Sequence, residues 1–200
     1  VSKSVVKILQ LAGVSFAILG TEEKCTGDFA RRVGNEMLYQ MMAQENIETL
    51  NRYRVKKILT ACPHCFNTLK HDYPQMGGNY EVTHHTELIH QLIKEGKITL
   101  DRNWKGSLTY HDPCHLGRAT GGFDAPRMIM EAIPALKLVE MARNREYSRC
   151  CGAGGGLKAG FPDIQTKMAQ RRIQEAEGTG AEQLVSCCPF CFQGLNVGIT

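Results

Sequence analysis

The chain has 200 residues, 42% of them hydrophobic, and carries a formal net charge of +4. That balance supports a packed core without covalent staples. Its basic residues are scattered and its aromatics few, which argues against a nucleic-acid interface. No apolar run approaches the ~18 residues that span a bilayer, and the N-terminus lacks signal-peptide organisation.

In chain order, Ser4 is expected to cap a helix over Val5–Leu11 that stops at Gly13. Val14–Leu19 reads as a buried strand ended by Gly20. Asp28 is a candidate cap for the following helix, whose apolar spacing is set by Met37, Leu38, Met41 and Met42. Lys56–Ala61 reads as a strand leading into Cys62, with Pro63 suited to the first turn of a helix. Strand Glu81–His84 precedes helix Thr86–Glu95, closed by Gly96. Residues 97–105 form a polar connector and the expected domain boundary, giving units 1–100 and 101–200. The second unit reads as strand Ser107–His111, helix Pro126–Ile133 and strand Leu136–Met141. A glycine-rich loop over Cys150–Gly156 follows, then helix Pro162–Glu177, strand Gln183–Ser186 and a helix begun by Pro189. Ile164, Met168, Ile173 and Ala176 are the expected apolar face of the long helix.

Strand, cysteine and helix alternate, which predicts an α/β fold. Each unit is a small, mostly parallel sheet flanked by helices. Functional loops of such sheets gather at the carboxyl ends of the strands. Cys62, Cys114, Cys150 and Cys188 are each expected to follow a strand, so residues distant in sequence converge.

Nine cysteines is a high and odd number. Cys114, Cys150, Cys151, Cys188 and Cys191 are spaced C-x35-CC-x36-C-x2-C. A disulfide framework uses even numbers and suits small secreted chains. Tetrahedral zinc takes four ligands and leaves one thiol over. An iron–sulfur cluster takes all five, because its several irons each accept a thiolate. The paired cysteines at expected helix N-termini favour the thiolate form. Gly152, Gly154 and Gly155 carry no side-chain bulk and let backbone approach a large inorganic group.

The pattern recurs. Cys62-Pro63-His64-Cys65-Phe66 parallels Cys188-Pro189-Phe190-Cys191-Phe192, and Cys25-Thr26-Gly27 parallels Cys150-Cys151-Gly152. The repeat lies about 125 residues away. The leading cysteine of the first copy would fall roughly ten positions before Val1, and the chain starts without Met. A fragment truncated within its first repeat is expected.

These motifs resemble the cysteine-rich CCG domains found in the B- and D-type polypeptides of heterodisulfide reductase and in related iron–sulfur proteins. The stretches Glu23–Asp28, Arg31–Glu36 and Thr60–Leu69 resemble the membrane-anchored iron–sulfur oxidoreductases that take electrons from electron-transfer flavoprotein to quinone. The resemblance implies an electron-transfer component of a larger cytoplasmic oxidoreductase. It would relay electrons from a flavoprotein or ferredoxin-type donor to a quinone or disulfide. The site of such a domain can be cytoplasmic or at the cytoplasmic face of a membrane, through segments or partners beyond this chain. The resemblance also implies a [4Fe-4S]-type cofactor, noncubane where all five cysteines are present. Cys114, Cys150, Cys151, Cys188 and Cys191 would hold it. Cys25, Cys62 and Cys65 remain at the first site, where Thr26 replaces the second cysteine of the pair.

Two rival readings use the same residues. Cys62-Pro63-His64-Cys65 resembles the redox pair of a thiol–disulfide oxidoreductase, and the thiol content alone permits structural zinc. A structural cluster in a docking module is a third rival. His111 is the favoured outer residue at the second site; His115 and the His84-His85 pair are weaker candidates. Cys187 reads as a buried small hydrophobe, Arg31 and Arg32 as a solvated helix face, and Lys56 and Lys57 as strand-edge charges. No catalytic residue is assigned.

Overall fold

The computed structural model describes residues 1–100 and 104–199. The boundary expected within 97–105 falls partly outside the described residues. The first half contains helix α1 (Ser2–Leu11), α2 (Asp28–Arg32), α3 (Glu36–Arg52), strand β1 (Lys57–Thr60), α4 (Pro63–Asn67), β2 (Glu81–His84) and α5 (His85–Lys94). The second contains β3 (Gly106–Tyr110), α6 (Gly117–Thr120), α7 (Asp124–Glu131), β4 (Leu136–Leu138), α8 (Leu157–Gly160), α9 (Pro162–Glu177), β5 (Gln183–Val185) and α10 (Pro189–Ile199). Both sheets are parallel. β1 pairs with β2 from Lys57↔Glu81 to Thr60↔His84. β3 lies between β4 and β5, with Gly106↔Leu136 and Tyr110↔Val185 at the limits of its two ladders. The α/β reading of two small parallel sheets flanked by helices therefore holds.

Several local expectations are corrected. Val14–Leu19 forms no strand, and Phe16 and Ile18 are exposed. An apolar run becomes a strand only when a neighbour accepts its backbone groups. α1 starts at Ser2 with no side-chain cap, so Ser4 lies inside it. Its end does use Gly13: the Gly13 N–H donates to Gln10 O and the Val14 N–H to Leu9 O, a Schellman closure.

Asp28 does not cap the methionine-bearing helix; it opens the short α2. α3 is capped by Asn35, whose Oδ1 accepts the Leu38 N–H at 3.1 Å. The buried face of α3 is Tyr39, Ala43, Asn46, Ile47 and Leu50. Met37, Leu38 and Met41 face solvent, and only Met42 of that group packs on the core. On α9 the buried residues are Gln165, Ala169, Arg172 and Ala176; Ile164 is exposed. Two polar side chains hold core positions there because each finds internal partners, described below. Cys150 does not directly follow a strand: β4 ends at Leu138, and a 3₁₀ turn over Arg145–Tyr147 intervenes.

The two halves share a core. Leu116, which follows Cys114, is fully buried in the cluster formed by Ala30, Tyr39, Ala43, Ile47, Phe66, Leu69, Tyr73 and Val82 of the first half. Cys187 packs against that cluster and also against Leu108, Tyr110 and Met130 of the second. Its thiol is 3.0 Å from the Tyr110 hydroxyl. α5 lies against α7 across the same junction. Leu116→Ala is expected to destabilise the whole chain by about 2–5 kcal/mol, as a cavity in a closed core does. A urea denaturation midpoint followed by circular dichroism checks it.

Candidate metal centre

Each cysteine group is placed by backbone before any side chain acts. β1 delivers Cys62 to the start of α4, where Pro63 occupies the first turn. β5 delivers Cys188 to the start of α10, and the Cys191 N–H donates to the Cys188 sulfur at 3.5 Å. The two turns preceding these pairs match as well. Gly27 N–H donates to Cys25 Sγ at 3.5 Å, and Gly152 N–H to Cys150 Sγ at 3.3 Å. Both glycines have positive φ, 83° and 76°, a conformation that tightens the turn around the sulfur and favours glycine.

At the second site the thiols form an unbroken line. Cys114 interacts electrostatically with Cys150, Cys150 with Cys151, and Cys191 with Cys188. Cys151 and Cys191 sulfurs stand 3.4 Å apart. Cys151, Cys188 and Cys191 are buried. Hydrogen bonds from Cys114 and Cys151 draw the Cys150 thiol down to about 2. The same bond, with burial, pushes Cys114 far up, and Cys151 rises to about 12. Cys188 is lowered by its bond from Cys191, whose own thiol is raised by Cys151 and Cys188. Cys150 and Cys188 are thus the low members, separated by the raised Cys151 and Cys191, because adjacent negative charges in a dry site oppose one another.

The first site repeats this geometry with one substitution. Thr26 Oγ1 lies 3.5 Å from Cys65 Sγ, the place that Cys151 takes beside Cys191. A hydrogen bond from Cys65 brings Cys62 down to about 6, and Cys65 is raised by the same bond and by burial. Cys25 is exposed. A cleft of about 420 Å³ opens here, lined by Cys25, Cys62 and Cys65, by Phe29 and Phe190, and by residues 153–156 of the second half.

That glycine-rich loop is held by packing. A Cβ on Gly152 would sit 3.3 Å from α9 backbone at Gln165, and one on Gly154 would come within 2.7 Å of the His64 ring. Gly155 faces open space. Gln165 Nε2 fastens the loop to α10 by donating to Cys151 O and Gly194 O.

The histidines divide into distinct settings. His111 is buried, with one ring nitrogen within 4.8 Å of the Cys151 and Cys191 sulfurs. Burial, then the Arg172 charge, hold it neutral, down to about 3. His115 lies 3.4 Å from Cys114 Sγ through Nδ1 and stacks on His64 at 3.7 Å. His64 in turn meets Asp28 at 3.0 Å, and Asp28 also accepts from Thr68 and Arg32. The two cysteine sites are therefore joined through one stacked pair. His84 and His85 sit at the end of β2, and burial lowers them to about 3 and 4. His84 meets Thr86, the Phe66 ring and the His85 ring, and neither histidine joins the line of thiols.

Sequence reasoning missed the supporting groups. Arg172, Arg127, Asp112, Gln165 and Asp28 are buried polar residues. The signal for Gln165 and Arg172 was their spacing with Ala169 and Ala176, which places all four on one stripe. Arg31 is not simply solvated: it pairs with Asp72 at 2.8 Å and lies over the Tyr39 ring. Lys57 pairs across the sheet with Glu81.

Arg127 fixes the turn between His111 and Cys114. It donates to both Asp112 oxygens, at 2.7 and 3.0 Å, and also grips Glu140. Arg127→Met is expected to cost about 3–5 kcal/mol, because it leaves the buried Asp112 carboxylate without its charge partner, held among the described residues only by the Arg145 N–H. Chemical denaturation of the chain measures it; a cost below about 1 kcal/mol would show that Asp112 finds another partner.

The chain is 44% identical over 198 residues to the D-type polypeptide of a dihydromethanophenazine:CoB–CoM heterodisulfide reductase from Methanosarcina mazei. It is 44% identical over 209 residues to an EtfAB:quinone oxidoreductase from Syntrophomonas wolfei. A probable iron–sulfur-binding oxidoreductase, FadF, from Bacillus subtilis is 44% identical over 195 residues. These alignments cover 96, 100 and 98% of this chain. They cover 48, 29 and 28% of the relatives, so the chain spans about half of the first and under a third of the others. Residues 1–70 and 108–196, which hold every cysteine discussed above, match the family described as the cysteine-rich (CCG) domain, and the chain belongs to that family.

Proposed function

We propose that this chain is an iron–sulfur cluster-binding electron-transfer portion of a larger oxidoreductase. The observation that carries the reading is the continuous line of five thiols, Cys114–Cys150–Cys151–Cys191–Cys188. The donor set fits the group. Five thiols in contact in a largely buried site cannot all ionise alone, whereas a cationic iron centre neutralises them together. Cys114, Cys150, Cys151, Cys188 and Cys191 hold the cluster of the second site. Cys25, Cys62 and Cys65 are the first-site ligands present, and units 1–100 and 101–200 are the two repeats. When bound, the cluster supplies one-electron redox chemistry.

This chain's own residues shape that chemistry. Gly152 and Cys191 offer backbone N–H groups to ligand sulfurs, which raises a cluster's potential. Gly152 and Gly154 keep the loop close to α9 and His64. Burial of Cys151, Cys188 and Cys191 suits a relay better than open substrate chemistry. The donor is a flavoprotein or ferredoxin-type domain, and the acceptor a quinone or disulfide. The relatives' names, a heterodisulfide reductase component and an EtfAB:quinone oxidoreductase, support this reading of donor and acceptor. No described helix is long and apolar enough to cross a membrane. The domain works in the cytoplasm, with membrane contact made through partners or other segments.

A second reading has one observation behind it. Cys62, at a helix start beside His64 and lowered to about 6, has the character of an attacking thiol in a dithiol pair. Iron and acid-labile sulfide analysis with EPR on anaerobically prepared protein separates the two. A cluster-binding chain contains both elements; a dithiol enzyme contains neither, and structural zinc gives metal without sulfide.

Cys151→Thr reproduces at the second site what Thr26 is at the first. The variant should still bind iron, in smaller amount and with an ordinary cubane EPR signature, because four thiolates suffice for a cubane. Cys188→Ser should lose more iron than Cys151→Thr, since it removes a thiolate stabilised at a helix N-terminus. Unchanged stoichiometry and spectrum in Cys151→Thr would remove Cys151 from the ligand set.

A further inference from the structure

Arg172 is the largest side chain wholly shut off from solvent among the described residues. Every side of its guanidinium is engaged. Nε donates to His111 Nδ1 at 3.0 Å, Nη1 to Arg143 O at 2.8 Å and to Glu175 at 2.7 Å, and Nη2 to Ser148 Oγ at 3.0 Å. It therefore ties α9 to the turn before Cys150 and to the residue after β3. A buried arginine so placed costs desolvation that an apolar core residue would avoid.

The contact with His111 has a definite chemical content. A guanidinium only donates, so Nδ1 must present its lone pair. The neutral ring then carries its proton on Nε2. The His111 backbone N–H is already fixed to Val185 O at 2.8 Å, so the ring is held at its base as well. One ring nitrogen lies within 4.8 Å of the Cys151 and Cys191 sulfurs, and Nδ1 is taken by Arg172. We infer that Arg172 is a positioning residue: it locks His111, beside the sulfur line of the second site, as the Nε2–H tautomer. The tautomer follows from this chain's own contacts. Its effect on potential rests on the cluster reading above, where an N–H directed at sulfur favours the reduced state.

The two claims are tested separately. In the full 200-residue apoprotein, long-range ¹H–¹⁵N correlation of the histidine rings reports the tautomer directly. His111 should show a single Nε2–H pattern, kept in Arg172→Lys and replaced by a tautomer mixture in Arg172→Met. A wild-type Nδ1–H pattern overturns the inference even if Arg172→Met does not fold, as does an unchanged pattern in a folded Arg172→Met. In reconstituted protein, Arg172→Met and His111→Phe should each make one-electron reduction about tenfold less favourable, about 59 mV. The double variant should add little to either single one. Additive shifts would mean that Arg172 acts only through its charge. Failure to incorporate iron would count against the proposed function and leave the tautomer measurement to decide the role of Arg172.

Discussion

Packing ionisable thiols against one another out of water is the constraint around which this molecule is organised. A single buried thiol is an ordinary small hydrophobe, as Cys187 is beside Tyr110. Five in contact are different, because each thiolate raises the cost of the next. The surrounding structure answers with N–H groups, helix starts and a buried histidine. Cys150 receives the Gly152 N–H, Cys188 the Cys191 N–H, and both are the low members of the line. The parallel sheets serve this end. β3 and β5 run in one direction, so His111, Cys114 and Cys188 leave the same edge.

The internal repeat shows which parts of the design tolerate change. The glycine turn and its N–H-to-sulfur bond are kept in both copies, as is the proline-led helix after each strand. An amide from the long helix supports both cysteine turns, Asn46 reaching Cys25 O and Gln165 reaching Cys151 O. What differs is charge. Thr26 keeps the contact that Cys151 makes but offers a hydroxyl, which stays neutral where a thiol can ionise.

The sequence showed the sheets and the cysteine groups because both rest on local signals. Strand Glu81–His84 and helix Pro162–Glu177 have the bounds that alternation and proline placement indicate. Periodicity failed where it counted only apolar residues. Met37 and Met41 recur at helical spacing yet face solvent, while Asn46 and Arg172 occupy the core. Hydrophobicity ranks a residue's cost of exposure, but a buried polar group is decided by partners far away in the chain, such as Tyr73 for Asn46 and His111 for Arg172. The strand expected over Val14–Leu19 failed for the same reason: a strand is a pairing, and one sequence segment does not contain its neighbour.

The loop that carries Cys150 and Cys151 goes on to form a wall of the cleft at the first site, and Gly154 there is in contact range of His64. The consequence is thermodynamic reciprocity. Whatever order filling the second site imposes on that loop is also imposed on the boundary of the first. An occupant of the first cleft must, by the same free energy, act on the affinity of the second. The repeats are two copies in sequence, yet they share one loop as a common boundary.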